Sequence, residues 1–172
     1  MADAELNDQA EKTMSKKFEI LPALHSVAEM HLTYKVKVPK DQWPRIISST
    51  DAFKLLLPHY DDQLDTRELF LILALNRSNR VIGVYHVSSG GISGTVVDIK
   101  IIFATLLLAG ASGVILSHNH PSGNTQPSNE DLTITGQIEK AAKILGITLY
   151  DHVIISSDKH FFSFADEGYI GR

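Results

Sequence analysis

The sequence predicts one domain built as a sandwich of helices on a mixed β-sheet, of the α/β or α+β class. Three observations support this prediction. The chain has 172 residues, which is the size of one ordinary domain. Hydrophobic residues make up 44% of it and charged residues 21%, as in a globular protein with a buried core. Short β-rich apolar runs alternate with segments of helical periodicity, so both strands and helices are expected.

Charge and cysteine content exclude several kinds of site. The 16 Lys and Arg residues are outnumbered by 20 Asp and Glu, which gives a net charge of −4 and disfavours nucleic-acid binding. The absence of cysteine excludes disulfides, thiolate nucleophiles and sulfur-based zinc sites, so a bound metal needs His and carboxylate ligands. Neither a membrane span nor a signal-peptide apolar region is found, so no membrane partner is expected and the cytoplasm is the default compartment.

The N-terminal region precedes the predicted domain, and its first 17 residues are polar. Residues 1–29 are predicted to form a tail and lead-in segment, of which 1–17 lacks apolar periodicity and is expected to be mobile. Apolar and polar side chains then alternate over 30–38, just before Pro39, which predicts an edge strand. The domain itself is therefore assigned to residues 30–172.

A short helix is predicted ahead of the main sheet. The apolar run AFKLLL at 52–57 follows three residues with good capping side chains, and Pro58 closes it. Ser49, Thr50 or Asp51 is the predicted N-cap.

A hairpin and a buried helix are predicted next. Two β-rich runs at 69–75 and 81–87 are joined by the polar turn 76–80. The Gly- and Ser-rich stretch 88–94 predicts a flexible loop. Residues 97–109 are apolar nearly all round, as expected for a helix buried against a sheet.

The second half of the chain contains the predicted central strand and the clearest helix. Residues 113–118 are apolar and β-branched, which is typical of a strand covered on both faces, ending at His118 or His120. A loop rich in Pro, Gly, Ser and Asn follows at 121–127. Apolar side chains then recur at helical spacing up to a natural stop at Gly146, namely Ile134, Ile138, Ala141, Ala142 and Leu145. Two closing strands, 147–155 and 160–164, are predicted around the turn 156–159.

His118 and His120 stand at the exposed end of the predicted central strand. Residues i and i+2 of a strand point to the same face, so the two imidazoles emerge side by side, with Cα atoms about 6 to 7 Å apart. Asp131 lies in the first turn of the following helix, and the intervening loop is long enough to fold that turn back over the pair. Two His and one Asp provide three ligands. This is the usual number of protein ligands in a catalytic zinc site, where water occupies the fourth position.

Two structural interpretations stand beside the metal site. A lone buried histidine is more often a hydrogen-bonded core residue than a ligand, and 128–131 matches a capping pattern in which Ser128 caps the helix and Asp131 favours its N-terminus. Capping accounts for Asp131 but not for the histidines. Packing gives no reason for two imidazoles at the end of a buried strand, followed at once by Pro-Ser-Gly, so the spacing favours the metal site.

The same stretch resembles the signature of a known family. His-x-His, seven residues, Ser, two residues and Asp is the JAMM pattern of the JAB/MPN metalloproteases, and HNHPSG followed by PS-x-x-D is similar to their RadC-like branch. The likeness covers roughly residues 30–170. It includes Glu68 at the start of LFLILALNR, the GGISGTVVD segment at 90–98, and Asp151-His152 followed by VII.

This resemblance implies a single-domain, cytidine-deaminase-like α/β sandwich, with a mixed central sheet flanked by helices, that holds one zinc ion. It implies that His118, His120 and Asp131 are the zinc ligands, that Ser128 helps to stabilise the tetrahedral oxyanion, and that Glu68 is the general base. Glu68 rests on the resemblance alone, and an exposed charge at a strand start is the alternative. A zinc hydrolase does need a group that carries a proton to the leaving amine.

The remaining histidines are predicted to be structural. His152, beside Asp151, either forms a carboxylate–imidazole pair that supports the site or makes a structural hydrogen bond, and the second is favoured. Ser117 is expected to be a strand residue with a hydrogen bond. No ligand-like spacing is found for the others, which are expected in the scaffold or at the surface: His25, His31, His59, His86 and His160.

Other folds with a His-x-His motif fit less well. An amidohydrolase barrel needs about 250 residues, and a metallo-β-lactamase site would continue with an Asp-His pair where this chain has PSG at 121–123. Longer RadC-like proteins carry a helix-hairpin-helix module before the metal domain, and we expect none ahead of Met30. The link to DNA repair that the family name carries is therefore weak for this chain.

The predicted function is that of a zinc-dependent hydrolase of JAMM type, acting on an amide, peptide or isopeptide bond in a peptide or protein. The alternative keeps the fold without catalysis, as a metal-containing interaction module or a DNA-associated RadC-like factor. Loops at 88–96 and 121–127 and the edge strands are expected to contact the substrate, but their sequences specify neither the substrate nor the oligomeric state.

Overall fold

The computed structural model of the chain describes residues 39–60, 63–90 and 96–171. These residues belong to one compact unit, residues 34–172. The predicted tail and the predicted strand over 30–38 lie outside the described residues, as do positions 91–95 of the predicted loop.

The described residues form a five-stranded sheet and three α-helices. The strands are β1 (Leu69–Leu75), β2 (Val81–Ser89), β3 (Gly113–His120), β4 (Thr148–Ser156) and β5 (Phe161–Ser163). The helices are α1 (Ser49–Leu56), α2 (Ile99–Leu108) and α3 (Asn129–Ile144), and short 3₁₀ turns cover Lys40–Gln42 and Leu57–His59. The strand order is β2-β1-β3-β4-β5. Only β3 and β4 are parallel among these neighbours, so the sheet is mixed, as predicted.

Both faces of the sheet are covered, which explains why β1 is buried along its whole length. Its odd-numbered side chains, such as Leu71, pack with Ala52 and Leu56 of α1. Its even-numbered side chains, such as Ile72, pack on the other face with the apolar stripes of α2 and α3, including Ile138. The predicted sandwich of a central sheet flanked by helices is therefore confirmed. We refer to the second side as the α2/α3 face.

The N-cap of helix α1 precedes all three predicted candidates. This N-cap is Ser48, whose side chain accepts a hydrogen bond from the backbone N–H of Asp51 at 3.2 Å. The Asp51 carboxylate accepts in turn from the backbone N–H of Ile47, so it lies inside the first turn. The prediction of Ser49, Thr50 or Asp51 as the cap was wrong because Ser48 has equally suitable chemistry and is the residue that leaves the helix in an extended conformation.

The other elements differ from the prediction mainly at their ends. Strand β2 continues through Ser89, because Ser88 pairs with Phe70 and Ser89 with Leu69, so the predicted loop begins too early. Helix α2 buries one side but leaves Leu107 55% exposed, so it is less enclosed than its composition suggests. Among the described residues, none of the helices has the length and hydropathy to cross a bilayer.

Candidate metal centre

The three predicted ligands come together where β3 ends and α3 begins. His118 and His120 project from the end of β3, and Asp131 lies in the first turn of α3. One ligand atom from each lies within 4.8 Å of the others. His118 Nε2 is 2.9 Å from His120 Nε2 and 3.1 Å from Asp131 Oδ1, while His120 Nε2 is 3.6 Å from Asp131 Oδ2. Three side chains from one strand end and one helix start thus converge on a single point.

The capping interpretation of Asp131 and the ligand interpretation are compatible. Ser128 is the N-cap of α3 and accepts a hydrogen bond from the Asp131 backbone N–H at 3.1 Å. Asp131 Oδ2 accepts from the backbone N–H of Ser128 at 2.8 Å and from its hydroxyl at 2.7 Å. Because this capping box uses mainly Oδ2, Oδ1 remains directed at His118.

The second histidine is oriented by the loop that follows β3. His120 Nδ1 lies 2.6 Å from the backbone carbonyl of Asn124. A carbonyl oxygen only accepts, so Nδ1 carries the proton and a neutral His120 presents a lone pair at Nε2. The turn residues between 121 and 124 therefore do more than connect two elements, because they set the tautomer of a candidate ligand.

The pKa values of the cluster follow from its burial and hydrogen bonds. Burial favours the neutral form of Asp131, but its polar contacts with His118 and His120 outweigh burial and hold the pKa of Asp131 well below its usual range. Burial also opposes a charge on His120, yet hydrogen bonds to Asp131 and to the Asn124 carbonyl raise its pKa. The ionised Asp131 thus favours a positive charge beside it.

The donor set fits a zinc ion. Two imidazole nitrogens and one carboxylate oxygen are ordinary zinc ligands, and three protein ligands are typical of catalytic zinc sites. The Nε2 atom of neutral His120 and the ionised Asp131 are both acceptors facing the same point, where a cation relieves their mutual repulsion. His118, His120 and Asp131 are therefore the residues that could hold the metal.

Glu68 lies at the edge of the same site, although no local pattern links it to the motif. Strands β1 and β3 pair antiparallel with Phe70 opposite His118, so Glu68, two residues earlier, reaches the level of His120. It is half-buried and lines a pocket of about 360 Å³ together with His120 and Ser128. Its charge helps to raise the pKa of His120 and that of the buried Tyr60. Sheet pairing is thus the physical link between Glu68 and the motif.

Asn119, between the two histidines, is a structural residue that the sequence analysis missed. It is fully buried on the opposite face of β3. Its side-chain amide nitrogen donates to the backbone carbonyls of Leu64 and Arg67, each at 2.9 Å, and its oxygen accepts from the backbone N–H of Leu69 at 2.8 Å. One side chain therefore ties the segment that carries Glu68 to the strand that carries the candidate ligands. The available signal was a polar side chain between the two histidines, on the opposite face of the strand.

The ring of His152 contacts the candidate ligand His118 rather than the carboxylate of its neighbour Asp151. Its Nε2 is 2.8 Å from Nδ1 of His118, and its Nδ1 is 2.6 Å from the hydroxyl of Thr135. The Asp151 carboxylate instead accepts from the Ser163 hydroxyl at 2.7 Å and from the backbone N–H groups of Ala165 at 2.9 Å and of His152 itself at 2.7 Å. The carboxylate–imidazole pair is thus absent from this part of the structure, and the hydrogen bond of His152 supports His118 directly. Burial lowers the pKa of His152 well below its usual value.

A β-bulge turns His152 towards the site. Val114 pairs with Leu149, but the next residue, Ile115, pairs with Asp151, so Tyr150 is an extra residue in β4. Side chains alternate along a strand, and a single inserted residue reverses which face the following ones occupy. Without the bulge His152 would point to the α1 side. Nothing in the local sequence indicates this bulge. The sequence analysis therefore could not predict that His152 faces His118.

The other described histidines do not belong to the cluster of candidate ligands. His59, His86 and His160 are exposed, while His25 and His31 lie outside the described residues. The buried Ser117 hydroxyl donates to the backbone carbonyl of Val153 at 2.8 Å. The Ser117 hydroxyl also lies 2.7 Å from the hydroxyl of Tyr60, so its hydrogen bonds join β3, β4 and the residue that follows the 3₁₀ turn Leu57–His59.

Comparison of the chain with known proteins finds a matching domain family and several relatives. The model of the RadC-like JAB domain matches residues 46–169. A UPF0758 protein of Porphyromonas gingivalis is 40% identical over 149 residues, which are 85% of this chain and 64% of that protein. The corresponding protein of Flavobacterium johnsoniae is 45% identical over 124 residues, covering 72% of this chain and 53% of the relative. A UPF0758 protein of Methanosarcina acetivorans is 35% identical over 126 residues, covering 73% and 54%. The chain thus spans between half and two thirds of the length of these curated relatives.

Proposed function

Because the chain belongs to the RadC-like JAB domain family, we propose that it is a zinc-dependent hydrolase of an amide, peptide or isopeptide bond. The observation that carries the proposal is the convergence of His118, His120 and Asp131 within 4.8 Å, with His120 lining a pocket that Glu68 also lines. A metal-binding module without catalysis would need the three ligands but not a carboxylate beside an open pocket.

The three proposed ligands hold the metal, and we assign the orientation of the ligands and the transfer of protons to Ser128 and Glu68. When bound, zinc supplies Lewis acidity and lowers the pKa of a water ligand. His118, His120 and Asp131 hold the ion, and Ser128 orients Asp131 through the hydroxyl that donates to Oδ2. Fixing the ligand carboxylate in this way keeps one of its oxygens directed at His118.

Glu68 is the proposed proton carrier. A general base must be a carboxylate or similar group that reaches the nucleophilic water, and it must then deliver the proton to the departing nitrogen. Its half-buried position in the pocket, and its contribution to the raised pKa of His120, support this role. A positioned general acid–base group typically contributes about 10² to 10⁴ in rate.

Ser128 is the proposed second contributor, as a hydrogen-bond donor to the oxyanion. Its hydroxyl proton is directed at Asp131 Oδ2, so donation to an oxyanion requires the hydroxyl to rotate towards the pocket that it lines. The other polar groups lining the pocket, from Ser122, Asn124 and Gln126, suit the amide groups of an extended peptide.

The experiment that tests this function separates metal binding from catalysis. Purified wild type, Glu68→Gln and the control Glu130→Gln, an exposed acid of α3, are loaded with zinc, and metal content is measured by mass spectrometry. Hydrolysis is then assayed on a fluorogenic peptide library and on lysine isopeptide conjugates. We expect one zinc per chain in all three proteins, and hydrolysis reduced at least about 100-fold only in Glu68→Gln.

Three outcomes would contradict the proposal. A wild-type protein that takes up no zinc removes the metal centre. Unchanged hydrolysis in Glu68→Gln removes the proton carrier. Stoichiometric zinc with no hydrolysis of either substrate set, together with DNA binding that weakens steeply as salt rises, would favour the non-catalytic, DNA-associated alternative.

A further inference from the structure

A buried threonine on α3 begins a chain of hydrogen bonds that ends at His118. The hydroxyl of Thr135 lies 2.6 Å from the backbone carbonyl of Asp131, one helical turn earlier. A carbonyl oxygen only accepts, so the single hydroxyl proton is donated there. The 2.6 Å contact between the same hydroxyl and Nδ1 of His152 must then be donated by the imidazole. The proton of His152 therefore sits on Nδ1.

The position of that proton determines what His152 offers to His118. His152 is fully buried, with its ring 4.7 Å from that of Phe164 and 5.6 Å from that of Phe70. Apolar rings on both sides favour the neutral imidazole. A neutral ring with a proton on Nδ1 has a lone pair on Nε2, which faces Nδ1 of His118 at 2.8 Å. His118 is consequently the donor, with its own proton on Nδ1.

We propose that His152 and Thr135 are positioning residues of the metal centre, which hold His118 in the tautomer whose Nε2 lone pair faces the metal. In the other tautomer the proton of His118 is on Nε2, the atom that lies 3.1 Å from Asp131 and 2.9 Å from His120. That atom then has no lone pair for the metal, so the site loses one ligand. The ring orientation of His118 is fixed as well, because Phe70 stacks on it at 6.0 Å with an interplanar angle of 5°.

This arrangement couples two of the ligands through the protein. The chain of hydrogen bonds starts at the backbone of Asp131, passes through Thr135 and His152, and ends on His118. Ligand histidines are usually oriented by a carboxylate, a carbonyl or a water; here a second imidazole does so. The backbone carbonyl of Asp131 in α3 fixes the Thr135 hydroxyl, and the hydroxyl in turn leaves Nε2 of His152 as the acceptor for His118. The orientation of His118 is therefore set before the metal binds. The inference rests on the proposed metal site but not on hydrolysis.

The test compares Thr135→Val, which removes the hydroxyl at similar volume, with Thr135→Ser, which keeps it. Uniformly ¹⁵N-labelled, metal-free full-length chain at pH 8 is studied by long-range ¹H–¹⁵N correlation, which reports the tautomer of each histidine ring. Circular dichroism checks that each variant is folded. Zinc affinity is measured by competition with a chromophoric chelator, so neither readout depends on enzymatic activity.

We expect His118 to carry its proton on Nδ1 in the wild type and in Thr135→Ser, with equal zinc affinities. In Thr135→Val, Nδ1 of His152 loses its acceptor. His118 should then shift towards the Nε2-protonated form, and zinc should bind about 10- to 100-fold more weakly. An Nε2-protonated His118 in the wild type, or wild-type tautomer and affinity in Thr135→Val, would overturn the inference. A wild type that shows the expected tautomers but takes up no zinc would instead overturn the proposed function.

Discussion

The side-chain amide of Asn119 holds the backbone on both sides of Glu68. Its nitrogen donates to the carbonyl of Arg67 and its oxygen accepts from the N–H of Leu69, the two residues that flank the acid. Asn119 itself lies between the two candidate histidine ligands. The residue in the middle of the His-x-His motif therefore links the positions of the proposed base and the proposed metal, although its side chain points away from both.

Replacing Asn119 with alanine should destabilise the protein. The substitution leaves three backbone groups, on Leu64, Arg67 and Leu69, without their partner. A buried polar group without a hydrogen-bond partner lowers the free energy of unfolding by about 1 to 3 kcal/mol. Water that enters the space left by the side chain can bond to these groups and offset part of the total loss. We expect a loss of about 2 to 4 kcal/mol in urea unfolding and faster hydrogen exchange at the Leu69 amide. Asn129→Ala, at an exposed position of α3, is the control, and equal stability of the two variants would contradict the account.

Removing the Ser128 hydroxyl should loosen the start of α3. Ser128→Ala abolishes the bond from the Asp131 backbone N–H and the bond to Oδ2. Loss of such an N-cap costs about 0.5 to 2 kcal/mol, whereas Ser128→Thr keeps a hydroxyl in place and should stay close to the wild type. Chemical denaturation of the three metal-free proteins checks this prediction. Equal midpoints for Ser128→Ala and wild type would show that the cap contributes nothing.

The bulge at Tyr150 predicts a specific coupling with Gly113. A β-carbon added at Gly113 would overlap the ring of Tyr150, which is half exposed and has to swing outwards. We expect Gly113→Ala to destabilise the protein by about 1 to 3 kcal/mol, as is usual for overpacking. The same change in a Tyr150→Ala background should cost much less. A double-mutant cycle with no coupling between the two positions would exclude this contact.

The buried Asp151 predicts a pH dependence of stability. Burial raises the pKa of Asp151 above its ordinary value of 3.8, with the hydrogen bonds from Ser163 and Ala165 opposing the shift only in part. A folded-state pKa above the unfolded one gives a stabilising contribution that is complete below pH 3.8 and is lost as the pH rises through the folded pKa. The stability of the wild type relative to Asp151→Asn should therefore fall as the pH increases over that window. Urea unfolding of both proteins at closely spaced pH values measures the difference, and a constant difference would refute the assignment.

Several features of the fold and of the candidate centre could be predicted because their signals are local. The alternation of side chains in a strand puts His118 and His120 on one face, and the capping pattern puts Asp131 at a helix start. These interactions span fewer than about four residues each, so periodicity and turn chemistry are sufficient to read them. The cap of α1 shows the limit of such signals, because four neighbouring residues at 48–51 all have suitable side chains.

By itself, the sequence determined the order of strands and helices, the mixed sandwich and the three residues that meet at the end of β3. Only the tertiary structure showed how Glu68, which the resemblance alone had implied, reaches them, and that His152 joins them. Glu68 reaches the pocket through the pairing of β1 with β3, and His152 turns towards His118 because of an extra residue in β4. The physical reason is that strand register and bulges depend on the packing of whole sheets, whereas periodicity and caps depend on neighbours along the chain.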